Sequence, residues 1–149
     1  MKTADNYMFA TLKSVPSNEA LSRVMVASFA SQADPTFEQI ADIKTAVSEA
    51  VTNSIVHGYE GKDGEIQISC RMDGRLLTIT IEDFGRGIED VEQARQPLFT
   101  TNSDGERTGM GFTVMELFMD SVQVTSKLGE GTRVVMTKQL IPDIEGSRG

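Results

Sequence analysis

The sequence of 149 residues has one cysteine, one histidine, no tryptophan and four prolines. Cys70 alone excludes an internal disulfide framework, and with His57 as the only imidazole a structural zinc cage is excluded too. No apolar run approaches membrane-spanning length, and the first residues, Met1 to Tyr7, lack the layout of a signal peptide. The expected setting is a reducing cytoplasm. Positive charge is also scarce: 14 Lys+Arg stand against 22 Asp+Glu, a net charge of −8. A general binder of nucleic-acid backbone is thereby excluded, because such affinity rests on Lys and Arg. Two phosphate motifs are absent. Gly61-Lys62 runs into Asp63 rather than a P-loop, and Asp90 stands where a dinucleotide fingerprint after Gly85 and Gly87 needs its third glycine.

What is present reads as one domain over residues 1–149, with a core from about residue 7 to residue 140 and a tail over 141–149. Tyr7 to Lys13 is expected as a strand. Ser17 is an N-cap candidate for a helix from about Asn18 to Ser31. Thr36, with Gln39 three residues on, fits a capping box. Behind it Ile40, Ile43, Val47, Val51 and Ile55 recur at helical spacing as far as Gly58, the expected stop. The period then becomes two. Ile66, Ile68, Cys70 and Met72 alternate with polar residues, Asp73-Gly74 marks a hairpin, and Leu77, Ile79 and Ile81 alternate again. A short helix near Asp90–Arg95 follows, then an irregular polar stretch from Gln96 to Thr108. A helix over Gly109–Asp120 and strands over about 121–128 and 132–140 complete the pattern. The implied class is α+β: a two-layer α/β sandwich with helices on one face of a mixed, mostly antiparallel sheet.

Three polar clusters could carry chemistry. Glu49, Asn53 and His57 are spaced i, i+4, i+8, so they are either a solvated helix stripe or a working face. In the second case a carboxylate can serve as a base, and an amide oxygen suits Mg²⁺, which takes few protein ligands when phosphates bring charge. Asp83-Phe84-Gly85-Arg86-Gly87-Ile88 is either an ordinary strand-to-helix loop or a wall for a flat ring. There Asp83 would accept from an exocyclic amine, and the glycines would let the backbone approach. Thr108-Gly109-Met110-Gly111-Phe112 is either a flexible helix start or a set of amides aimed at phosphate, with Arg107 just ahead. Gly129-Glu130-Gly131-Thr132 is most simply a hairpin turn.

In this order the clusters resemble the N, G1 and G2 boxes of the gyrase-B, histidine-kinase and mismatch-repair ATPase superfamily, whose nucleotide site is the Bergerat fold. Residues 49–59, Gln96-Pro97-Leu98-Phe99-Thr100-Thr101 and residues 106–113 are similar to the sporulation anti-sigma serine kinases, a likeness running from about Phe9 to Lys138. The resemblance implies ATP or ADP with Mg²⁺ as cofactors, Asn53 as the metal ligand and Glu49 as general base. It implies Asp83 on the adenine amine with Thr132 assisting through water, and Gly85 and Gly87 shaping that wall. Residues from Pro97 to Met110, including Thr100, Thr101, Arg107, Thr108 and Gly109, would cover the phosphates, with Arg107 near the γ-phosphate and Gly111 offering an amide. Thr108 stands where serine is common, and Arg86 where small residues are often found. Asn18, Glu19 and Arg23 match a segment that contacts partners. The implied partners are sigma factor F and an anti-anti-sigma factor phosphorylated on serine, with a homodimer and without nucleic acid or membrane.

The superfamily hosts several reactions, so fold alone does not select one. A histidine kinase needs an acceptor histidine on a separate helical segment, and gyrase-type ATPases need a second domain. Neither fits this sequence. A stand-alone serine kinase remains, beside a nucleotide-gated interaction module without catalysis and the related stress-response anti-sigma kinase.

Overall fold

A computed structural model describes residues 4–96 and 103–142, with the side chains of residues 103–109 outside that description. Strand β1 (Asn6–Lys13) leads to helix α1 (Ser17–Ser31), and helix α2 (Phe37–Asn53) continues into a π-helical turn, Ser54–Gly58. The hairpin of β2 (Glu65–Asp73) and β3 (Leu76–Asp83) follows. After it come the short α3 (Val91–Ala94), then α4 (Ser103–Phe118), β4 (Ser121–Lys127) and β5 (Gly131–Gln139).

The strands form one sheet in the order β1-β2-β3-β5-β4. All four pairings are antiparallel, so the expected mixed sheet gives way to a wholly antiparallel one among the described residues. The passage from β3 through α3, α4 and β4 brings β5 back beside β3 in the opposite sense, with Ile79 opposite Met136. Alternation then divides the faces. Ile66, Ile68 and Cys70 of β2 and Leu77, Ile79 and Ile81 of β3 point inward and are buried beneath Val26, Phe29, Ile43, Val47 and Val51 of α1 and α2. Burial pushes the Cys70 thiol up to about 12. The other face carries polar residues and, on β1, the exposed Tyr7 and Phe9.

Local rules explain most boundaries. The Thr36 hydroxyl accepts from the Gln39 amide, and the Gln39 side chain accepts from the Thr36 amide, closing the expected capping box of α2. Three boundaries differ from the sequence reading. Pro16, not Ser17, is the N-cap of α1 and gives no side-chain cap; Asn18 instead ties the junction to β1 through the Lys13 carbonyl at 2.8 Å. Beyond Asn53 the α-helix widens into the π turn. Helix α4 starts at Ser103 rather than Gly109, so Gly109 and Gly111 lie within helical backbone instead of at a helix N-terminus. Asp104 and Glu106 stand in the first turn of α4, and such early acidic residues compete with glycine as a start signal, a pattern that opens at Ser103.

Candidate functional site

The site forms where the end of α2, the end of β3 and helix α4 meet. A π turn carries an extra residue and re-aims the side chains that follow it. Here Tyr59 N–H reaches back five residues to the Ser54 carbonyl at 2.9 Å. The Ser54 hydroxyl donates to Asp83 Oδ2 at 2.8 Å, and Gly58 sits so close that a Cβ there would lie 3.0 Å from the Asp83 carboxyl group. His57, read on one face with Glu49 and Asn53, lines a concavity of about 430 Å³ with Pro16, Ile55, Val56, Glu60, Gly61 and Arg86.

Asp83 is buried and held from several sides. Gly85 N–H donates to its Oδ1 at 3.0 Å, and a backbone amide of Thr132 also donates to the carboxylate. Burial raises its pKa above the ordinary carboxylate value, while the Gly85 amide, the Ser54 hydroxyl and the Thr132 amide pull it back down. The turn beyond it is wired throughout: Phe84 N–H donates to the Tyr59 hydroxyl, Arg86 N–H to the Gly58 carbonyl and Ile88 N–H to the Ser126 hydroxyl. Two glycines are required by close approach. A Cβ at Gly85 would lie 2.1 Å from the Gly58 carbonyl oxygen, and one at Gly87, with φ +75°, would lie 2.1 Å from that of Lys127. The Thr132 hydroxyl pairs with that of Ser126 at 2.8 Å.

The other end of the site is made by Glu49, Asn53 and Gly111. A Cβ added at Gly111 would come within 3.2 Å of the Asn53 side-chain nitrogen and 3.3 Å of Glu49 Oε2, so α4 lies directly against both side chains. Among the described residues the buried Asn53 side-chain nitrogen has no hydrogen-bond partner, a costly state that a polar ligand would relieve. The Glu49 carboxyl group is raised above its ordinary value, first by burial and second by the Glu19 charge on α1. Glu19 in turn pairs with Arg23 at 2.6 Å. Met110 is exposed. Thr100 and Thr101 lie outside the described residues, as do the side chains of Arg107, Thr108 and Gly109.

No group of three His, Cys, Asp or Glu side chains forms a metal cage among the described residues. The unused Asn53 atom is an N–H donor and suits a phosphate oxygen as acceptor. A Mg²⁺ arriving with that phosphate would take the amide oxygen of the same side chain, since Mg²⁺ keeps few protein ligands, all of them oxygens. Ser54, Ser126, Tyr59 and Gly58 support the site without having been singled out in the sequence. Ser54 adjoins Asn53, but an uninterrupted helical period from Val51 to Ile55 hides the π turn that aims it at Asp83.

A carboxylate held by amides at a strand end, with an asparagine-bearing helix across from it, defines a histidine kinase-like ATPase domain, and residues 12–138 match the family of that description. The backbone also resembles the RsbU and RsbW domains of Rv1364c from Mycobacterium tuberculosis, with TM-score 0.67 and 20% identity over 91% of this chain and 32% of that one. Among sequences, it is 56% identical to the anti-sigma F factor of Thermoanaerobacter sp. (strain X514) over 93% of this chain and 96% of that one. It is 54% identical to the anti-sigma F factor of Clostridium kluyveri (strain NBRC 12016) over 90% and 94%. The chain belongs to the anti-sigma F factor family.

Proposed function

We propose that this chain, as one ATP-binding kinase domain with a core over about residues 7–140, binds and inhibits sigma factor F and phosphorylates a serine of its anti-anti-sigma factor. The observation that carries the catalytic part is the placing of Glu49 and Asn53 together against Gly111, one side chain suited to a base and the other with a buried amide N–H open to a phosphate oxygen. Asp83 and its donors receive the adenine amine, with Thr132 beside it. When bound with the nucleotide, Mg²⁺ would offset phosphate charge, and the Asn53 side-chain oxygen would be its protein ligand.

Phosphoryl transfer asks the protein chiefly for positioning and electrostatics. The partner's serine oxygen attacks the γ-phosphorus in line, Glu49 accepts the hydroxyl proton, and ADP departs as the bond to its β-phosphate oxygen breaks. Burial and the neighbouring Glu19 make Glu49 a stronger proton acceptor than an ordinary carboxylate. Arg107, with Thr100, Thr101, Thr108, Gly109 and Met110, belongs to the cover over the phosphates in this reading.

Glu19 and Arg23, half-buried on α1 beside the base, are the partner-contact residues. A homodimer completes the reading, with the exposed Tyr7 and Phe9 on the outer sheet face as surface it would cover. No helix among the described residues is long and apolar enough to cross a membrane, in keeping with a cytoplasmic regulator. The test is incubation with Mg-ATP, the sigma factor and candidate serine-bearing partners, followed by mass spectrometry. Phosphate on one serine of the anti-anti-sigma factor is expected. Nucleotide-dependent sigma binding without any phosphate gain would replace the kinase by an interaction module.

A further inference from the structure

The inward row of β5 is Val134, Met136 and Lys138, continued just past the strand by Leu140, all buried, and Lys138 lies opposite the fully buried Leu77. A lysine in a core row is expensive unless its ammonium is paired. Its Nζ donates to the carbonyl of Phe118, the last residue of α4, and lies 3.6 Å from Asp42 Oδ2 on α2. Helix α4 has no basic residue in its own last turn, so Lys138 supplies from the sheet the cation that a helix C-terminus favours. One side chain therefore ties the sheet, α4 and α2 together.

We propose that Lys138 is a positioning residue for the phosphate end of the site, fixing α4 along α2 so that Gly111 stays against Asn53 and Glu49. Gly111 has no side chain with which to fix its own place, and it lies so near both groups that an added Cβ would stand 3.2 Å from Asn53 and 3.3 Å from Glu49. The buried Phe112 and Met115 hold α4 down, but apolar contact is non-directional and permits sliding. The Lys138 hydrogen bond to the Phe118 carbonyl is directional and acts at the far end of the helix, about 10 Å from Gly111 at the helical rise. Asp42 relates that end to the helix that bears Asn53.

This inference rests on the reading of the site as a nucleotide site, and its test separates the two. ADP and AMP are titrated by calorimetry and amide chemical shifts into the full chain, its Lys138→Met and Lys138→Arg variants and Asp42→Asn. Lys138→Met is expected to weaken ADP about tenfold, because Gly111 shifts against Asn53 and Glu49 at the phosphate end, while AMP, held chiefly at Asp83, changes less than about twofold. Lys138→Arg restores most of the ADP affinity. Equal losses for ADP and AMP, or no loss in a folded Lys138→Met variant, would overturn the proposal. Should that variant fail to fold, Asp42→Asn decides: an ADP-selective loss of about threefold supports the role, and unchanged or equally reduced affinities refute it. Wild-type chain that binds no ADP would instead remove the nucleotide reading itself.

Discussion

At Asp83 each carboxylate oxygen has a donor, whereas at Asn53 a buried amide nitrogen has no partner among the described residues. The two ends of one site, joined by a single π turn, thus solve opposite problems. The Asp83 end is complete before any ligand arrives: Phe84, Gly85, Arg86 and Ile88 have all committed their amides. The Asn53 end is incomplete and faces a helix containing Gly105, Gly109 and Gly111, residues that each weaken a helix by about 1 kcal/mol relative to alanine. On the proposed reading, with Asp83 at the base and Asn53 at the phosphates, a rigid end beside an unsatisfied one suits a protein that recognises one nucleotide base and responds to how many phosphates it carries.

Substitutions that spare one end and damage the other break this comparison most sharply. Glu49→Ala is expected to lower phosphoryl transfer by about 10²–10⁴-fold while ADP affinity changes little, as removal of one general base predicts. Rapid-quench transfer beside calorimetry reads both quantities. Asp83→Asn turns an acceptor-only group into one that also donates, and leaves one of its donors without a carboxylate. ADP and AMP should weaken together by about tenfold to a hundredfold, the cost of about 1–3 kcal/mol for one unmade buried hydrogen bond. Loss confined to ADP would place Asp83 at the phosphates instead.

A smaller effect concerns pH. In the proposed reading Glu49 acts ionised, and burial with Glu19 holds its proton more tightly than usual, so transfer should rise through a pH above the ordinary glutamate value. Glu19→Gln removes the weaker of the two causes and moves that rise to lower pH without abolishing it. Stability has the opposite sign. The folded chain binds protons at Glu49 and Asp83 more tightly than the unfolded chain does. Their contribution is therefore full below the ordinary carboxylate value and is lost as pH rises through the raised folded values. An unshifted rate profile for Glu19→Gln would detach α1 from the base.

Much of this was legible because local rules and tertiary need agreed. Thr36 and Gln39 cap α2 as their spacing implies, and the alternation of Ile66 to Met72 and Leu77 to Ile81 around Asp73-Gly74 places β2 and β3 face-in as found. The Glu49 and Asn53 pair and Gly111 lie on separate segments, and only the fold brings them within contact. Other features had no local signal. The π turn preserves the apolar period through Ile55, so nothing in the sequence marks where Ser54 leaves the α-helix. The start of α4 was misplaced because a glycine pair reads as a helix boundary, while the Ser103 pattern ahead of it lies in a polar stretch without apolar period. Lys138 reads as an outward charge near a strand end until the register sets it opposite Leu77 in the core.

Amide hydrogen exchange with and without ADP tests the contrast between the two ends most directly. The account predicts that the amides of Phe84, Gly85, Arg86 and Ile88 are protected in the free chain and change little on binding, whereas those of Gly109, Met110 and Gly111 change markedly. Unprotected amides at 84–88 in the free chain that become slow only with ADP, beside unaltered exchange at 109–111, would contradict it.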